Sequence, residues 1–152
     1  MGEKNMIDGV LLTQLKIIPG DSGYVLHAIK RTEPSFCGFG EAYFSTIHKG
    51  AVKAWKRHRR MTLNLVVPCG EIKFVLFDDR PNSPTCGEFF EITLSRRNYQ
   101  RLTVPPMVWM GFKGMDVDVN MLLNIADMPH DPDEVDRVDA YMNNIKYTWD
   151  AS

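Results

Sequence analysis

The chain has little of what usually identifies a protein at sight. Its cysteines, Cys37, Cys69 and Cys86, are odd in number and show no CxxC spacing, which argues against a disulfide framework or a paired-thiol metal site. No apolar run approaches the ~20 residues needed to cross a bilayer, and no apolar leader follows Met1. These absences point to a soluble, cytoplasmic protein with free thiols. Excess charge is also missing: 18 basic residues face 19 acidic ones, so no whole-molecule field draws the chain to nucleic acid or an anionic membrane. There is no P-loop or dinucleotide fingerprint, no internal repeat and no linker-like tract, so the 152 residues are expected to form one domain, 1–152.

What is present is a series of short β-rich runs, among them "GYVLHAI", "FGEAYFSTI", "MTLNLVV", "EIKFVLFDD" and "EFFEITLS", separated by "PGDSG", "PCG" and "DDRPNSPTCG". Strands at this spacing predict an all-β sandwich, barrel or jelly roll. Helical spacing occurs only near the C-terminus. In "HDPDEVDRVDAYMNNI", Asp131 is a cap, Pro132 suits a first helical position, and Val135, Val138, Met142 and Ile145 predict one short amphipathic helix.

The run "GAVKAWKRHRRM", residues 50–61, concentrates positive charge. If residues 55–67 form one strand, Trp55, Arg57, Arg59, Met61, Leu63, Leu65 and Val67 share one face. Lys56, His58, Arg60, Thr62, Asn64 and Val66 share the other. The even face is then either solvated or the polar wall of a pocket, with Lys56, His58 and Asn64 inside it. A nucleic-acid surface would want further basic clusters or exposed aromatics.

Longer segments resemble a family. "FGEAYFSTIHKGAVKAWKRH", "GEIKFVLFDDRPNSPTCGEFFEITLS" and "LTVPPMVWMGF" follow, in order, segments of the dTDP-4-dehydrorhamnose 3,5-epimerases. "KAWKRHRRM" and "PPMVW" are also similar to the cupin sugar-nucleotide 3,4-ketoisomerases. The resemblance implies a cupin jelly roll (double-stranded β-helix), a homodimer and a nucleotide-diphosphate sugar as ligand, with no cofactor.

Matched residue by residue, the family's histidine base falls on Lys56, its phosphate arginine on Lys53, its corner histidine on Met110, and its tyrosine acid near Asn124. His58 remains as a second histidine, Glu41 and Tyr43 replace a Gln and an Asn, and Asp139 could orient a base. The resemblance therefore implies Lys56, His58 and Tyr43 as catalytic candidates, and Lys53, Arg60, Asn64, Glu41, Trp109 and Asn124 as substrate contacts. Lys53 and Arg60 would meet the diphosphate. Trp55, Trp109 and Tyr43 either stack on ligand or belong to the core.

A metal site is not expected, since the usual H-x-H pair reads Lys56-x-His58. The functional alternatives are an epimerase, a ketoisomerase, and a silent sugar-nucleotide binder that has lost its acid and base.

Overall fold

The structure, a computed structural model, describes residues 6–141 and 143–149. Among these residues twelve strands run in chain order: β1 Leu11–Gln14, β2 Ile17–Gly20, β3 Gly23–Leu26, β4 Glu41–Ile47, β5 Val52–His58, β6 Leu63–Cys69, β7 Glu71–Phe77, β8 Phe89–Ser95, β9 Gln100–Val104, β10 Trp109–Gly114, β11 Asn120–Ala126 and β12 Val135–Arg137. They form two facing antiparallel sheets, ordered β1-β9-β6-β11-β4 and β12-β5-β10-β7-β8, with β2 and β3 as a separate hairpin.

Alternation explains the layering. In β7, Ile72, Phe74 and Leu76 point between the sheets and are fully buried with Leu63, Leu65, Val67, Leu94 and Leu102. Val75, on the opposite face, joins Trp55, Trp109, Ile145 and Trp149 in a second apolar cluster. Trp149 packs so close to β10 that a Cβ on Gly111 would lie 2.7 Å from its ring and 2.6 Å from Ala54 Cβ. Trp55 and Trp109 are thus part of a packed layer.

The segment after β7 is held by one buried carboxylate. Asp78 accepts from Arg80 Nε at 2.8 Å and from the hydroxyls of Ser83 and Thr85 at 2.6 Å each. Burial alone would raise the Asp78 pKa, but these donors outweigh it and hold the group far below the ordinary range. "DDRPNSPT" is therefore a structural knot.

Two sequence expectations fail here. Among the described residues the C-terminal segment forms no α-helix: Asp131 caps only a 3-10 turn, Pro132–Glu134, and the chain then extends as β12. Pairing with the open edge of β5 (Val135 with His58, Arg137 with Lys56) satisfies the backbone there, and Ile145 packs into the aromatic layer. Met142 lies outside the described residues. Residues 55–67 are also not one strand. The chain leaves β5 at His58 and enters the other sheet at Leu63, so face parity does not carry across the corner.

Candidate active site

A cavity of about 440 Å³ lies between β4 and β11 of one sheet and β5, β10 and β12 of the other. Ala54, Trp55, Met110, Phe112, Leu122 and Val138 form its apolar wall, and Tyr43, Ser45, Lys53, Lys56, Asn124 and Arg137 its polar one. Among the described residues, no carboxylate lines it. Lys53 and Lys56 are an odd–even pair that simple alternation would place on opposite faces. They share the cavity because β5 carries a bulge: Lys56 pairs with Met110 and Lys53 with Phe112, three residues against two.

Ion pairing divides the basic cluster. Arg57 reaches Asp136 at 2.8 Å and Asp79 at 3.3 Å while stacking 4.6 Å over Trp109; Arg59 meets Asp136 at 2.6 Å and Arg60 meets Asp131 at 2.9 Å. These cations serve the C-terminal segment. Lys53, Lys56 and Arg137 form no salt bridge among the described residues, and all three line the cavity. Burial, followed by repulsion from Arg137 and Lys53, pushes the Lys56 amine below its ordinary value against the opposing pull of Glu134.

On the facing sheet, Asn124 Nδ2 donates to the Tyr43 hydroxyl at 3.1 Å. Asn124 Oδ1 is buried without a hydrogen-bond partner among the described residues. Burial, with Glu41 nearby, keeps Tyr43 protonated to higher pH than usual. Glu41 itself lies two residues along β4, outside the lining.

His58 sits beyond Lys56 and hydrogen-bonds through Nδ1 to Glu134. That carboxylate is only 2% exposed and accepts from the main-chain N–H groups of Arg60 at 3.0 Å and Met61 at 3.1 Å. Burial would raise its pKa, but His58 and these two donors lower it below its usual value. The same burial lowers His58, against the upward pull of Glu134. Glu134 was not a sequence candidate. Its only signal was a place in the acidic run "DPDEVD", where four-way ambiguity among carboxylates hides the one that turns inward.

Of the nine site candidates, Lys53, Lys56, Tyr43 and Asn124 converge on the cavity. Asn64, displaced by the corner after β5, faces away from the core and is held by Ser35 O at 3.1 Å and Thr103 Oγ1 at 2.5 Å. Arg60 is committed to Asp131, and Trp109 donates Nε1–H to Asp79 at 2.9 Å on the outer layer. Among the described residues, no three His, Cys, Asp or Glu side chains cluster to hold a metal, and Cys37, Cys69 and Cys86 are exposed and unpaired. No helix among them is long and apolar enough to cross a membrane.

Two antiparallel sheets closing on a cavity with a basic wall define a jelly roll of the cupin class. The sequence profile of the dTDP-4-dehydrorhamnose 3,5-epimerases matches residues 4–152, and the chain belongs to that family. It is 33% identical over 114 residues, 72% of each chain, to the probable low-salt glycan biosynthesis epimerase Agl13 of Haloferax volcanii. It is 26% identical over 148 residues to the spore coat polysaccharide biosynthesis protein SpsL of Bacillus subtilis, covering 96% of this chain and 98% of that one. A solved dTDP sugar isomerase from Desulfovibrio desulfuricans G20 superposes with a TM-score of 0.93 at 39% identity, over 96% of this chain and 94% of the other.

Proposed function

We propose that this protein is a sugar-nucleotide epimerase that inverts carbon centres beside the keto group of a dTDP-4-keto-6-deoxy sugar, in glycan or surface-polysaccharide synthesis. The observation that carries this is the cavity wall, where two unneutralised cations, Lys53 and Arg137, meet the Lys56 amine of depressed pKa and no carboxylate among the described residues competes for the ligand. Family membership supports the same substrate class, and the names of the curated relatives support a role in glycan or polysaccharide synthesis.

Inversion beside a ketone needs a base for the carbon-bound proton, a partner for the enolate oxygen and an acid on the opposite face. Lys56, where the family has histidine, is the base; its lowered pKa leaves more free amine near neutrality than an ordinary lysine offers. Tyr43 on the facing sheet, oriented by Asn124, is the acid. Lys53 and Arg137 hold the diphosphate. Arg137 takes the place that the sequence reading gave to Arg60, whose charge is already paired.

A homodimer fits the exposed apolar residues Ile18, Tyr24 and Val25 on the β2–β3 hairpin, and unpaired exposed thiols fit a reducing, cytoplasmic setting. Sedimentation at working concentration tests the first: a lone protomer contradicts it.

A 3,4-ketoisomerase is the second reading, favoured by the histidine retained at position 58 and its carboxylate partner. NMR of the product from dTDP-4-keto-6-deoxyglucose separates the two. Inversion with the ketone still at C4 supports the epimerase, and a ketone moved to C3 supports the ketoisomerase. Unchanged substrate, with dTDP still bound, would leave a silent binder.

A further inference from the structure

We propose that His58 and Glu134 form a proton-accepting pair behind Lys56, linked to it by a single water in a small interior chamber, with Glu134 as the positioning residue. The inference rests on Lys56 being the base. A chamber of about 10 Å³ adjoins the main cavity. That is room for one water. Its only polar liners among the described residues are Lys56 and His58; Met61, Val104, Val108 and Met110 contribute to the apolar rest. A water in the chamber would be shared between these two residues.

The orientation of His58 follows from Glu134. With Nδ1–H donated to the carboxylate, Nε2 carries the lone pair and is the nitrogen left to accept a proton. Main-chain donors from Arg60 and Met61 keep Glu134 anionic although it is out of water, so it can stabilise an imidazolium.

The transfer balances. The neutral Lys56 amine takes the carbon-bound proton, and the C–H electron pair passes into the enolate. The resulting ammonium gives one proton to the water, which gives one of its own to His58 Nε2. Lys56 is again a free amine, and His58 is an imidazolium paired with Glu134. The partly exposed His58 ring then releases the proton to solvent.

Electrostatics alone predicts the opposite result for one variant. The charged groups facing the pair are Lys56, Lys53 and Arg137 on one side and Glu134 on the other. Glu134 raises the Lys56 pKa, so removing its charge would by itself free more base and speed the reaction in acid. The relay instead requires that charge.

The test is turnover of dTDP-4-keto-6-deoxyglucose by the full chain across about pH 5.5 to 9, comparing wild type, E134Q, E134D, H58Q and K56M. Expected for E134Q and H58Q is a loss of about tenfold or more in kcat with KM within about twofold, partly rescued in E134D. Unchanged kcat, or an E134Q enzyme faster in acid, overturns the relay. If K56M is dead while E134Q and H58Q match wild type, the relay alone falls. If wild type shows no turnover, or K56M matches it, the base assignment falls and takes the relay with it. Should E134Q not fold, H58Q decides, since it leaves Glu134 on its two main-chain donors. Nitrogen-15 shifts of His58 supply a readout without substrate: a protonated Nδ1 and bare Nε2 are expected, and the reverse tautomer overturns the proposal.

Discussion

Replacing Lys56 by Arg asks whether position 56 supplies a charge or a base. Arginine keeps a cation at the cavity wall but does not deprotonate in a protein. If Lys56 only holds an anion, the change costs at most part of one charge-assisted hydrogen bond, ~1.5–3 kcal/mol, and it appears in KM. If Lys56 is the base, the loss is ~10²–10⁴ in kcat, or ~3–5 kcal/mol of transition-state stabilisation, with KM little changed. K56M removes both roles and should lower kcat and weaken binding together. The pH dependence gives an independent sign. A base works above its pKa, so kcat in wild type should rise with pH through a value below lysine's ordinary 10.5. Arg137 is one of the two cations that depress it, so R137A should move this limb to higher pH. The assay is steady-state kinetics with dTDP-4-keto-6-deoxyglucose. A K56R enzyme within about threefold of wild-type kcat would refute the base assignment.

Other outcomes follow from the same geometry. R137A and K53A should each weaken dTDP binding by about 3–10-fold, discounted for solvent screening at the exposed Arg137, and flatten its salt dependence. R60A, whose charge serves Asp131, should leave that affinity unchanged by calorimetry. Y43F should lower kcat by about 10² with little effect on dTDP affinity. Thermal stability should fall as pH drops below neutrality. The depressed Glu134, Asp78 and His58 each stabilise the fold above their unfolded pKa values, and that stability is lost as pH falls through the folded ones. Scanning calorimetry showing greater stability at pH 5 than at 7 would contradict this sign. G111A should cost about 1–3 kcal/mol, a melting temperature lower by several degrees, because its methyl meets Ala54 and Trp149.

The sheets were legible because turn residues punctuate them and because alternation in β7 or β6 marks which side chains enter the core. The cavity's cationic wall was half legible. Lys53 and Lys56 were found by resemblance, but strand parity alone would have separated them, since a bulge leaves no mark in composition. Asn64 was misplaced because a four-residue corner, Arg59 to Thr62, carries the chain from one sheet to the other and resets its faces. The expected C-terminal helix rested on apolar spacing that the strand edge of β5 and the aromatic layer satisfied instead. Glu134 and Arg137 were invisible for the same reason, as only the pairing of β12 with β5 brings them to Lys56 and His58. Which arginines are free for ligand is likewise a fact of pairing: Arg57, Arg59 and Arg60 look equivalent to Lys53 in sequence and are neutralised in space.

The most direct test of the central claim is deuterium wash-in. The protein is incubated with dTDP-4-keto-6-deoxyglucose in heavy water, and new label is located by mass spectrometry and NMR. Carbon acidity exercised by Lys56 predicts deuterium at the carbons flanking the ketone, C3 and C5, in wild type and its absence in K56R. Unlabelled sugar in the presence of wild type, with dTDP still binding, would contradict an epimerase built on this cavity.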